Sequence, residues 1–268
     1  DLSEEETRLA WVTGYVPVDS MEKFRRACAD NSWAFVSSEP KEDDPVPTKL
    51  KNNKLVSLIY PLTDFLGTVP GYHEYDISGW FLLFFTVFFG MIFGDGGYGL
   101  LLTAGGVAMA LKSIVSRKGG ALAGLVLLLG IATVAWGTVT CTWFGLKPEM
   151  LPDWLKNLSV PQISNAYGDT QWPVFWKAES GLYLTTAQNL QIFCFTLALL
   201  QLSVAHLKGI AANIRTLKWV GELGALMQVI GMYWVVLSMV VSSEVFTFGE
   251  IIYGIPVGSL ALSLVGIG

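Results

Sequence analysis

The chain is 268 residues long, 52% hydrophobic and 15% charged, with a mean hydropathy of +0.50. This balance argues against an ordinary soluble enzyme, and a net charge of −5 with no basic cluster leaves no electrostatic footprint for nucleic acid. Residues 1–76 hold 14 of the 22 acidic and 8 of the 17 basic side chains, while 77–94, 96–111, 119–146, 180–205, 223–243 and 251–268 hold none, so a polar head precedes a membrane domain.

The start, Asp1 to Glu6, is acidic where a signal peptide is basic and then apolar. Asp1 falls inside a helical pattern and Gly268 inside an apolar run, so the chain is expected to be a fragment of something longer. Residues 1–38 read as the end of an α/β head. Trp11–Val16 and Trp33–Val36 are β-prone, and between them Asp19 and Glu22 have capping-box spacing while Met21, Phe24 and Cys28 share a helix face. Residues 39–77 read as a linker to the membrane, because Glu39–Pro70 holds five of the 11 prolines and the charged run Lys41–Asp44. His73, Glu74 and Asp76 end the linker. With one His and no second within reach, they fit a solvated loop better than a metal site. Cys28, Cys141 and Cys194 are scattered and odd in number, and read as small buried hydrophobes.

Residues 78–268 are expected to be mainly α, a polytopic membrane domain of about six helices at 79–93, 98–111, 119–143, 187–205, 223–243 and 251–268. The stretch 79–111 is the difficult one. As one helix it is about 50 Å long, and split at Asp95–Gly97 it gives two helices of about 22 Å. Lys112, Arg117 and Lys118 follow it, and Lys208, Arg215 and Lys218 follow 187–205; the positive-inside rule puts both loops in the cytoplasm. A cytoplasmic head then requires 79–111 to cross twice, as a short hairpin whose turn is buried in protein or faces a wet cavity. Residues 144–186 become an outer loop, where Trp143, Trp154, Trp172 and Trp176 are expected to form an interfacial belt.

No phosphate loop, dinucleotide fingerprint or zinc-protease helix occurs in the sequence. No catalytic, cofactor-binding or metal-binding residue is therefore assigned. Ionisable groups at membrane depth remain as candidates. Asp95 sits among Gly94, Gly97, Tyr98 and Gly99, and its carboxylate is expected to cap the next helix, with a proton path as the second reading. Glu222 follows Lys218 by four residues, which suits an i, i+4 pair as well as a proton relay, and His206 is expected at the interface. The Gly-x-x-x-Gly spacings at Gly90/Gly94, Gly120/Gly124 and Gly254/Gly258 suit close helix packing.

From Phe89 to Leu102, through the Gly94, Asp95, Gly97, Tyr98 and Gly99 motif, the sequence resembles the membrane subunit of the V/A-type rotary ATPases, called subunit I in prokaryotes and subunit a in eukaryotes. Trp11–Pro17, Pro45–Val56 and the Glu222–Gly224 helix start fall in the same order as in that family, so the resemblance covers essentially the whole chain. It implies a non-catalytic stator subunit in a prokaryotic cell membrane, with its head on the cytoplasmic side. Implied partners are a membrane rotor ring of c/K-type subunits, peripheral stalk subunits, a central-stalk connecting subunit and the lipid bilayer. The implied task is to help move protons or Na⁺ across the membrane, coupled to ATP hydrolysis or synthesis. The family's essential ring-facing arginine has no counterpart here, since no Arg or Lys follows Lys218. A stand-alone secondary transporter or ion channel is the alternative, but the Asp95 motif has no second copy of the kind an inverted repeat would supply.

Overall fold

The computed structural model describes residues 11–41, 44–72, 74–116, 120–168, 170–174, 176 and 181–246, together with the backbone of 251–252 and 255–256. The chain divides into two compact units, Asp1–Leu82 and Leu83–Gly268. His73, Arg117 and Lys118 lie outside the described residues.

In the first unit, α1 (Met21–Asp30) follows a 3-10 turn at Val18–Ser20. The expected capping box does not form, because Asp19 bonds Lys51 at 2.6 Å and Glu22 pairs with Arg26 at 3.3 Å. Cys28 is buried, and the Phe24 and Phe35 rings meet edge-on at 5.4 Å. The two expected strands are absent among the described residues. β-prone sequence needs a neighbouring ladder, and Val12 and Val36 are almost fully exposed with no strand beside them. The linker is more ordered than its prolines suggest. A 3-10 turn at Val56–Ile59 runs into α2 (Tyr60–Leu66), opened by Asn53, whose side chain accepts the Val56 amide at 2.8 Å. Gly67 at φ 66° closes α2, and the Thr68 amide returns to the Thr63 carbonyl. Glu74 and Asp76 spend their carboxylates on the Gly71 amide and on Ser78 and Asn52.

Helix α3 (Ser78–Phe93) spans the boundary between the units, and only Gly94 and Asp95 separate it from α4 (Gly96–Ser116). Gly94 takes φ 65°, a left-handed conformation that suits the abrupt turn. Helix α4 extends well beyond the expected 98–111. At 21 residues it is about 32 Å long and able to cross a bilayer, with Lys112 carried near its end.

Helix α5 (Ala121–Thr140) packs antiparallel on α4, backbone to backbone. A Cβ added at Gly99 would lie 2.6 Å from the Val134 nitrogen, one at Gly106 2.8 Å from Leu127, and one at Gly130 2.6 Å from the Thr103 nitrogen. At Gly137 it would overlap Gly96. The glycines that matter are thus spaced by seven, Gly99/Gly106 facing Gly130/Gly137. Of the expected Gly-x-x-x-Gly sites, Gly90 does lie against the backbone of α5, with the Ala132 carbonyl oxygen 2.9 Å from an added Cβ, while Gly254/Gly258 falls outside the described residues.

The described residues of 144–186, the expected outer loop, include α6 (Asp153–Leu158), short 3-10 turns and an antiparallel pair of β1 (Gln171–Pro173) with β2 (Tyr183–Thr185). Helix α7 (Thr186–Asn213) opens on a capping box in which Thr185 and Gln188 satisfy each other's backbone amides. Its 28 residues outrun the expected 187–205, since His206 and Lys208 do not break a helix. Helix α8 (Lys218–Val236) continues as a π-helical turn at Leu237–Val241. Val174, just after β1, and Leu184 of β2 join Leu237, Val241, Val245 and Phe246 in a buried apolar cluster. Among the described residues, four helices are long and apolar enough to cross a membrane: α4, α5, α7 and α8 with its π turn. Helix α3, at 16 residues, is shorter. Of the expected span 251–268, Ile251–Ile252 (β3) and Ile255–Pro256 (β4) pair as two-residue strands, and the remainder lies outside the described residues.

Candidate functional site

Asp95 ends the α3–α4 turn with its side chain buried. Oδ1 accepts the amides of Gly97 at 2.8 Å, Tyr98 at 3.2 Å and Phe144 at 2.9 Å, and Oδ2 accepts that of Gly145 at 3.0 Å. The first two are orphan donors at the start of α4, where the helix dipole also favours a negative charge. The other two come from the turn that leaves α5, in which Phe144 and Gly145 both adopt positive φ and aim successive amides at one anion. The Gly96 amide donates to the Thr142 carbonyl at 2.9 Å, a further bond between the same two segments.

The glycines of the motif make this approach possible. A Cβ at Gly96 would strike the Trp143 ring at 2.9 Å, and one at Gly97 would enter the Phe144 ring. Of the four tryptophans expected in a belt, Trp143 lies over Gly96, the Trp172 indole donates to the Thr186 hydroxyl at 3.3 Å, and Trp154 and Trp176 are exposed. Tyr98 is exposed beside Phe144, with ring centroids 5.8 Å apart. The motif itself was legible in the sequence. Its partners, Thr142, Phe144 and Gly145, carry no local signal because they arrive from about 50 residues downstream.

The second polar centre lies between α7 and α8. Glu222 Oε2 and His206 Nδ1 are 2.9 Å apart, so the carboxylate is shared across helices and not with Lys218 along its own helix. Gly209 makes room for it, since a Cβ there would meet the Glu222 carboxyl carbon at 2.7 Å. Sequence reasoning missed Gly209. The available signal was its position one turn beyond His206, on the same helix face. Two further polar bridges join the pair of helices: Thr196 with Tyr233 at 2.8 Å, and Gln188 with the Val241 carbonyl at 2.7 Å. The structure brings His206 and Glu222 together and holds Asp95 apart from them. Trp136, beside Gly137, stacks near Phe193, and His206 lies 13 residues further along α7, about 20 Å away.

No protein-family profile matches the chain. Among curated proteins it is 38% identical over 266 residues to the V-type ATP synthase subunit I 1 of Treponema pallidum (strain Nichols), an alignment covering 97% of this chain and 40% of that protein. The V-type ATP synthase subunit I of Borreliella burgdorferi is 31% identical over 99% of this chain and 41% of its own length. The chain's curated homologues are subunit I proteins of V-type and A-type ATP synthases. An archaeal member, the A-type ATP synthase subunit I of Archaeoglobus fulgidus, is 32% identical over 53% of the chain and 20% of its own length. The chain spans about 40% of the length of the Treponema and Borreliella subunit I proteins. In this chain, Asp95 has the chemistry of a clamp, a carboxylate whose acceptor sites serve four amides. His206 and Glu222 form a hydrogen-bonded pair across α7 and α8, half-open to its surroundings.

Proposed function

We propose that this chain is part of the membrane stator of a rotary ATPase, helping to move protons or Na⁺ across the membrane while catalysing no step on nucleotide itself. The observation that carries this reading is alignment along 97% of the chain to a V-type ATP synthase subunit I. Helices α4, α5, α7 and α8 supply the membrane crossings, and α3 with α4 makes the short hairpin that returns the chain to the side of its polar head. That side is cytoplasmic, following the basic loops after α4 and α7. The partners are the rotor ring, the peripheral stalks and the connecting subunit of the central stalk. The tight α4–α5 pair and the Asp95 clamp suit a stator, which must hold its shape against a rotating neighbour. No residue of this sequence is assigned as the ring-facing arginine, since no Arg or Lys follows Lys218.

Affinity purification of the full-length subunit from its native membrane tests the reading. Recovery of a ring subunit and soluble ATPase subunits in fixed ratio is the expected result. A solitary oligomer that transports ions by itself would replace it with the stand-alone transporter.

A further inference from the structure

The turn between α7 and α8 combines features that the stator role does not use. Between His206 and Glu222 the chain carries Lys208, Arg215 and Lys218 and no acidic residue. Glu222, the nearest carboxylate in the sequence, is hydrogen-bonded to His206 and seated over Gly209. Arg215 and Lys218 are exposed. So are two large apolar side chains beside them, Ile214 at 66% and Leu217 at 87%. Trp219, of a residue type that favours the membrane–water interface, follows.

The helix lengths place this patch at one depth. Helix α7, at 28 residues, is about 42 Å long, against a hydrocarbon core of about 30 Å. Its last two turns, and the α7–α8 turn with them, extend to the level of the headgroups. Apolar side chains there face the acyl boundary, while cations on the same turn face phosphates. An exposed Leu217 flanked by Arg215 and Lys218 suits a boundary where an apolar and an aqueous phase meet.

We propose that the α7–α8 turn is a docking site for anionic phospholipid headgroups. Arg215 and Lys218 contact the phosphate, Ile214 and Leu217 enter the acyl boundary, and the His206–Glu222 pair keeps the carboxylate from repelling the ligand. The occupant is a lipid of the surrounding bilayer because apolar and cationic groups alternate along a single turn, which suits an amphiphile. The proposal rests on the membrane reading given above.

The test uses the whole ATPase complex purified in mild detergent. It is exchanged against vesicles of phosphatidylglycerol in phosphatidylcholine, and retained lipid is counted by native mass spectrometry. Wild type should retain phosphatidylglycerol selectively, and added salt should displace it, as expected for phosphate contacts at the surface. The double variant Arg215→Gln/Lys218→Gln should bind it roughly 30-fold more weakly, from about 1 kcal/mol per interfacial charge, while Lys147→Gln in the outer loop leaves it unchanged. Equal retention by the double variant would overturn the proposal. Salt-insensitive retention by wild type would do the same, and that measurement stands even if the variant does not assemble. Ring subunits are scored in the same spectra. Lipid without ring would sink the stator reading and leave the docking site standing, and ring without selective lipid would do the reverse.

Discussion

Asp95 Oδ1 accepts the amide of Phe144 at 2.9 Å, across 49 residues of sequence. One carboxylate thereby fixes where α4 starts and where the chain goes on leaving α5. Both events occur against glycine backbone, where no side chain can take up slack.

Replacing Asp95 by Asn keeps one acceptor oxygen and turns the other into a donor, which with Oδ1 kept as the oxygen faces the Gly145 amide. In the full-length subunit, the yield of assembled complex should fall further than ATP-driven pumping per assembled complex. The local cost is about 0.5–2 kcal/mol, the range for a lost cap, and Asp95→Ala should cost more than Asp95→Asn. Normal assembly with pumping abolished would move Asp95 from clamp to proton path.

Two glycines of neighbouring helices should respond in opposite ways to the same methyl group. Gly137→Ala places it on the backbone of Gly96 and should destabilise the membrane domain by about 1–3 kcal/mol, as overpacking does. Gly105→Ala, with nothing within 4 Å, should be neutral or mildly stabilising through better helix propensity. Thermal unfolding of the purified subunit in one detergent compares the two.

His206 and Glu222 should be coupled. A double-mutant cycle with His206→Ala and Glu222→Gln is expected to give an interaction of about 1 kcal/mol, within the range for residues in one hydrogen-bonded pair. Gly209→Ala should reproduce much of the effect of Glu222→Gln, by displacing the carboxylate without removing it. Additive single variants would dissolve the pair.

The polar unit should show one defined acid response. Burial raises the Asp76 carboxyl, but bonds from the Ser78 hydroxyl and amide and from Asn52 outweigh it and hold the group below its ordinary value of 3.8. A depressed carboxyl contributes its stability above the unfolded value and loses it as pH falls through the folded one. Stability from this group should therefore be flat above about pH 4 and fall below it, and Asp76→Asn should flatten that part of the curve. Acid titration of the full-length subunit followed by tryptophan fluorescence would read it.

Topology can be checked by cysteine labelling. Ser78 is buried, so exposed neighbours serve better: Ile77→Cys and Ser116→Cys should label from one side of the membrane and Lys147→Cys from the other. Opposite labelling of Ile77→Cys and Ser116→Cys would replace the hairpin with a single tilted helix.

Apolar runs free of charge located α3, α4, α5, α7 and α8, because burial in lipid leaves a long unmistakable pattern in sequence. Helix ends were read less well, since Lys112 and Lys208 interrupt hydropathy without interrupting backbone hydrogen bonding. The helix at Val56–Leu66 hid behind neighbouring prolines, although Asn53 before it and Gly67 after it are ordinary start and stop signals. Asp95 was legible as a cap because its amides at Gly97 and Tyr98 are local. The bonds to Phe144 and Gly145, like that between Glu222 and His206, depend on how helices pair, which periodicity in a single segment does not encode.

The spacing of Gly99 and Gly106 against Gly130 and Gly137 has a mechanical consequence. Where side chains interdigitate, a small slide can be absorbed by rotamer changes. Here the contact is main chain on main chain, so moving α4 by one residue along α5 would drive a Cβ into a peptide unit at each crossing. The pair has no shallow intermediate stops. Under lateral load it should respond as a single stiff spar, passing strain to whatever is attached at its ends and dissipating little along its length.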